Sequence, residues 1–155
     1  MDGDTQTDSH KILPKVCLGR KRLCDVELYP FAEAIANGIA TIMSAHVIYP
    51  SLDEEYPATL SEKIITGILR EKLGFNGVII SDDLSMKAIT SNYTLDEASY
   101  LAIRAGISML LVTHQPYKVY KEIKDSLLKK FKQDKLDISL IKKEVEIILR
   151  LKKRI

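Results

Sequence analysis

The sequence predicts an α/β fold built on parallel strands, and three observations predict it. Short β-branched or apolar runs start at Ile39, Gly77 and Ser108, about 38 and then 31 residues apart. Each run is followed by a stretch of helical periodicity, and strand–helix repetition implies a parallel sheet with right-handed crossovers. The second run, Gly77-Val78-Ile79-Ile80, passes straight into Ser81-Asp82-Asp83-Leu84. Buried parallel strands read as continuous apolar runs, and ligands in such folds sit at the strands' carboxyl ends. Two adjacent carboxylates at that point mark a place for chemistry, against the simpler reading that Ser81 or Asp82 caps a helix.

The elements follow in order. Residues 1–27 are charged and loop-like. Tyr29-Pro30 opens a short helix with proline in its first turn, and Gly38 closes it. Ile39–Met43 is a first strand, running out into Ser44-Ala45-His46. A connection carrying Pro50 and Pro57 leads to a helix starting near Ser61, with Ile64, Ile65, Ile68, Leu69 and Leu73 on one face and Gly74 as its stop. After the Val78–Ile80 strand, Thr94 with Glu97 three residues on forms a capping box for a helix that buries Ala98, Leu101, Ala102 and Ala105. The run 108–112 is a third strand, ending in Thr113-His114-Gln115-Pro116. Two amphipathic helices finish the chain, with apolar faces of Leu127, Leu128 and Phe131 and of Leu140, Ile141, Val145, Ile148 and Leu149. All three histidines, His10, His46 and His114, fall in loops or at strand carboxyl ends, as they would around the active face of a barrel.

Composition narrows the classes. The 155 residues are one domain's worth, and 46% hydrophobic with 28% charged residues describes a folded globular protein. No apolar run approaches 18 residues, and Met1-Asp2-Gly3-Asp4 is acidic, so neither a membrane span nor a secretory signal is expected and the location expected is cytoplasmic. Cys17 and Cys24 fit no zinc spacing and read as reduced thiols. Residues 117–155 hold 13 Lys and Arg against 6 Asp and Glu, which raises a nucleic-acid partner. Lysines on the outer faces of amphipathic helices are more simply solvated, so no nucleic acid and no membrane is expected as a partner.

Several motifs occur in register: Asp8-Ser9-His10 with Leu13-Pro14, Glu27-Leu28-Tyr29-Pro30-Phe31, Ser44-Ala45-His46-Val47 with Tyr49-Pro50, Pro57-Ala58-Thr59-Leu60-Ser61, and Leu73-Gly74-Phe75 running through Gly77 to Leu84 and Met86. Together they resemble glycoside hydrolase family 3, in its bacterial β-N-acetylglucosaminidase branch, over about residues 3–112. The resemblance implies a (β/α)8 TIM-like barrel with its site at the strand carboxyl ends. It further implies release of terminal β-linked N-acetylglucosamine from short saccharides such as cell-wall muropeptide fragments, with no cofactor or metal. In the family's Ser-Asp-Asp-Leu motif the first aspartate is the nucleophile, which falls on Asp82. The Asp-Ser-His loop supplies the proton donor, which falls on His10 with Asp8 as its partner. His46 is expected near the sugar, with a loop hydrogen bond as the competing role, and Asp83 is read as a loop or cap residue.

Retaining hydrolysis asks for these types: one group protonates the leaving oxygen and another attacks the anomeric carbon. Asp8 beside His10 favours the imidazolium that donates the proton, and the neutral ring can then activate water. The family's preceding strand, with its sugar-binding Lys-His pair, has no counterpart in this sequence. The expectation is therefore the C-terminal part of a barrel domain: an active-site loop region over 1–27, about three βα units over 28–116 and two basic helices over 117–155. A separate N-terminal half-barrel chain would complete it, and without one the uncovered strand edges and apolar faces would drive self-association. An inactive truncated remnant or interaction module is the alternative to an enzyme. A phosphorylase also stays open, because a histidine donor does not repel phosphate as a carboxylate would.

Overall fold

The computed structural model describes residues 13–133 and 137–153. Two helical turns, α1 (Arg20–Arg22) and a wider turn over Leu23–Glu27, lead into α2 (Tyr29–Ala36), which has proline in its first turn. Strand β1 (Thr41–Met43) lies parallel to β2 (Val78–Ile80), with Thr41 opposite Val78 and Met43 opposite Ile80. Between them run a 3₁₀ turn (Ala58–Leu60) and a π-type helix (Lys63–Lys72) that ends with Leu73 N–H donating to Ile68 O, five residues back. The predicted helix is therefore present but wide-wound, a rare form for ten residues. A short turn α3 (Lys87–Thr90), then α4 (Leu95–Ala105), α5 (Tyr117–Lys132) and α6 (Ile138–Lys152), follow β2.

One core gathers these elements. Ile42 of β1, Ile79 of β2, Phe75, Leu84 and Ile89 pack with Ala98, Leu101, Ala102 and Ala105 of α4, the face the periodicity predicts. The α4 start is capped as expected, Thr94 Oγ1 accepting from Glu97 N at 3.4 Å. Its end turns through Gly106 at φ +102°, a left-handed position that glycine takes without a Cβ penalty. Gly77 opens β2 where the chain passes so near β1 that a Cβ would lie 2.4 Å from Ala40 O.

Three expectations need correction. Residues 20–27, read as part of a charged loop, are wound into helical turns that bury Leu23 and hand the chain to α2. The third strand does not extend the ladder along 108–112; it contributes one parallel bridge, Ile80 to Met109. The segment still runs beside β2, but serine hydroxyls replace ladder groups: Leu111 N donates to Ser81 Oγ at 2.9 Å and Ile79 N to Ser108 Oγ at 3.0 Å. The apolar faces assigned to the last two helices also differ. Leu127, Phe131, Leu140, Ile141 and Ile148 are half-buried as expected, but Ile123 and Ile147 are the apolar residues fully buried there, and Leu128, Val145 and Leu149 face outward. The inward face of α6 instead carries Glu144, whose carboxylate meets Arg70 Nη2 at 2.7 Å beneath the start of β2. Among the described residues no helix is long and apolar enough to cross a membrane.

Candidate active site at the carboxyl rim

The carboxyl ends of the parallel strands bring together the residues that follow each of them. Ser44 and His46 follow β1, Asp82 and Asp83 follow β2, and Thr113 and His114 follow the third segment. Short crossovers and parallel pairing deliver these positions to one rim even though they are scattered along the chain.

The two aspartates there have different surroundings. The Asp83 carboxylate is saturated with donors. Its Oδ1 accepts from Ser85 N at 2.9 Å, Ser85 Oγ at 2.7 Å and Thr113 N at 3.1 Å, while Oδ2 accepts from Thr113 Oγ1. Burial pushes this carboxyl up, but the hydrogen bonds from Thr113 and Ser85 outweigh it and hold Asp83 below the usual carboxylate value. Asp83 is thus a clamp between the ends of β2 and the third segment, a firmer role than the loop or cap position read from sequence. A short Asp-x-Ser pattern, Asp83-Leu84-Ser85, was the available signal, since aspartate commonly accepts from backbone two residues on. Asp82, by contrast, has one hydrogen bond on its carboxylate among those described, Oδ1 accepting from Asp83 N at 2.7 Å. No hydrogen bond from a described residue falls on its second oxygen, and the side chain is half-buried.

His46 is 1% exposed, and both of its ring nitrogens are engaged within the protein. Nδ1 lies 3.0 Å from Thr59 Oγ1, and Nε2 lies 3.0 Å from Asp83 O. Burial pushes its pKa below the ordinary 6.5, against the Asp83 carbonyl contact and the charges of Asp82 and Asp83. His114 stands at the exposed end of the rim with a left-handed φ of 54° and Nδ1 2.9 Å from Thr113 Oγ1. Asp8 and His10, assigned to proton donation, lie outside the described residues. A cleft of about 430 Å³, lined by Asp53, Tyr56, Lys63, Thr66 and Arg104 among others, takes in none of the rim residues. Its most buried carboxylate, Asp53, is already satisfied by Ser61 Oγ at 2.7 Å and Lys63 Nζ at 3.3 Å, so the carboxylate pair and not this cleft is the candidate site. Among the described residues no cluster of histidine, cysteine and carboxylates could hold a metal.

A strand-end carboxylate, beside a second one clamped between the ends of β2 and the third segment, makes up the candidate site. The model of the glycosyl hydrolase family 3 N-terminal domain matches residues 1–151, and the chain belongs to that family. The β-hexosaminidase of Methylobacillus flagellatus is 38% identical over 132 residues, 85% of this chain and 36% of its own length. The structure of a family 3 β-N-acetylglucosaminidase from Paenibacillus sp. superposes with a TM-score of 0.94 at 42% identity, over 98% of this chain and 29% of that one. A β-glucoside phosphorylase superposes at 0.87 with 28% identity, over 97% of this chain and 28% of its own. The chain thus spans about a third of the length of the curated relatives it matches.

Proposed function

We propose that this chain carries the nucleophile-bearing part of a retaining β-N-acetylhexosaminidase, built as the C-terminal portion of a (β/α)8 barrel of about three βα units. Its substrate class is short saccharides ending in β-linked N-acetylglucosamine, including muropeptide fragments recycled in the cytoplasm. The observation that carries the reading is the Asp82 carboxylate at the end of β2, with one oxygen that no described residue binds. A carboxylate fixed on a strand end meets the positional tolerance that attack on an anomeric carbon requires. The imidazole of His10, with Asp8 holding it protonated, is assigned to protonate the leaving oxygen and then to activate water. The names of the similar proteins support the sugar class and the bond broken.

The test places these 155 residues in the matching segment of the Paenibacillus enzyme, which supplies the rest of the fold. Turnover of an aryl β-N-acetylglucosaminide is expected, with loss in Asp82→Ala. A slow fluorinated substrate should leave a covalent sugar on the Asp82 peptide, read by mass spectrometry. A folded chimera without turnover, or turnover that survives Asp82→Ala, would overturn the reading. His10→Ala should cost less on aryl substrates than on disaccharides, because a good leaving group needs little protonation. The phosphorylase reading has the superposed β-glucoside phosphorylase in its favour, and acceleration by added phosphate with a sugar 1-phosphate product would select it.

A further inference from the structure

The carboxyl rim contains a directed chain of hydrogen bonds that the chemistry assigned to Asp82 does not use. Ser44 Oγ donates to Thr59 Oγ1 at 2.9 Å. The single Thr59 hydroxyl proton is then free to point at His46 Nδ1, 3.0 Å away. On the other side of the ring, Nε2 is 3.0 Å from Asp83 O, and a carbonyl can only accept. Nε2 must therefore carry the proton, and Nδ1 is the acceptor. The ring is 1% exposed, which disfavours a second proton because the charged form would be stripped of water. The hydroxyls of Ser44 and Thr59 thus fix the tautomer, and the tautomer fixes the backbone of Asp83.

That backbone is what holds Asp82. Asp83 N donates to Asp82 Oδ1 at 2.7 Å, Asp83 O takes the His46 proton, and the Asp83 carboxylate is tied to Thr113. We infer that His46 is a positioning residue: held as the neutral Nε2–H tautomer by Thr59, it anchors the Asp83 main chain and so aims the Asp82 carboxylate, without touching the sugar. This rests on the reading of Asp82 as the attacking carboxylate. A neutral ring also leaves the negative charge on Asp82 unneutralised, as attack requires. An imidazolium at this place would pair with that charge and weaken the nucleophile.

Two side chains separate the ring's two contacts. His46→Gln can place an amide N–H near the Nε2 position and keep the donor to Asp83. His46→Asn reaches only the Nδ1 position and leaves Asp83 O unpaired. The first test uses the 155-residue chain without any ligand. Nitrogen-15 spectra of the histidines should show His46 as the Nε2–H tautomer at neutral pH. Hydrogen exchange at the Asp83 amide should rise about tenfold or more in His46→Asn and stay within about threefold in His46→Gln, while the Ile79 amide stays unchanged in both. An Nδ1–H tautomer or an imidazolium at neutral pH, or a rise shared equally by Asp83 and Ile79, would overturn the inference. In the turnover assay, His46→Asn should lower kcat about tenfold to a hundredfold with KM unchanged, and His46→Gln should restore it. A rise in KM with kcat unchanged would put the ring on the sugar instead and defeat the positioning role. The failure of the Asp82 reading itself looks different: Asp82→Ala would then keep full turnover, whatever the tautomer and exchange show.

Discussion

The same two strands end in polar clusters of opposite character. At the carboxyl rim, Asp83 and His46 are consumed by internal hydrogen bonds, while Asp82 has one oxygen without a partner among the described residues. At the amino end, Arg70, Glu144 and Ser108 close on one another. Arg70 Nη1 donates to Phe75 O at 3.0 Å and Gly77 O at 2.6 Å, and Nη2 to Ser108 Oγ at 3.0 Å and Glu144 Oε2 at 2.7 Å. The remaining nitrogen, Nε, is the one buried side-chain polar atom without a partner among the described residues. Every charge at this end faces another charge or a carbonyl, so the cluster can join α6, the π-type helix and β2 but cannot readily act on a ligand. The comparison teaches that a polar network becomes a site by what it leaves unspent within reach of a ligand, which the buried Arg70 Nε is not.

The sharpest way to break this comparison is Asp82→Ala. Turnover in the chimera should fall about 10⁴-fold or more, while the thermal midpoint of the 155-residue chain moves little. A large drop in the midpoint would make Asp82 a structural residue like those at the other end. Next in size is the reverse case, Glu144→Ala. It strands the guanidinium of Arg70, whose side chain is 6% exposed, and should cost about 3–5 kcal/mol in denaturant unfolding. The double change Arg70→Met with Glu144→Leu should recover most of that loss, since no buried charge is then left unpaired. Retention of the full penalty in the double variant would show that packing, not charge pairing, fastens α6.

Smaller effects belong to the clamp. Asp83→Ala leaves the amides of Thr113 and Ser85 without their acceptor and should cost about 1–3 kcal/mol, with hydrogen exchange rising at those two amides. Unchanged exchange there would remove Asp83 from its place between the strand ends. The mildest expectation concerns pH, and both contributions run the same way. His46 is held below 6.5 in the folded chain, chiefly by burial, so the unfolded chain takes up a proton that the folded chain refuses. Its contribution is complete above pH 6.5 and is lost as the pH falls below that value. Asp53 and Asp83 are held below 3.8, their hydrogen bonds outweighing burial, so their contribution is present above pH 3.8 and is lost as the pH falls through their lowered values. Denaturant midpoints should therefore decline in two stages on acidification, and His46→Gln should flatten the upper one. A midpoint that rises between pH 6.5 and 5 would contradict the buried neutral ring.

Much of this organisation was legible in the sequence, because it is encoded locally. The β-branched run into Asp82 places a carboxylate at a strand end, the Thr94 and Glu97 pair starts α4, and alternation of strand and helix makes the sheet parallel. Each rests on residues a few positions apart, where backbone preference and side-chain reach are enough. Which aspartate is clamped, which atom of His46 bears the proton and where Glu144 turns were decided by the tertiary structure alone. Those outcomes depend on partners 30, 37 and 74 residues away: Thr113 on Asp83, Asp83 on His46 and Glu144 on Arg70. The same is true of the third strand, whose ladder was expected from its apolar run but was reduced to one bridge by the hydroxyls of Ser81 and Ser108. A hydrophobic pattern records that a segment is buried. It does not record which hydroxyl or guanidinium the fold brings against it, because that is set by how the crossovers stack the strand ends.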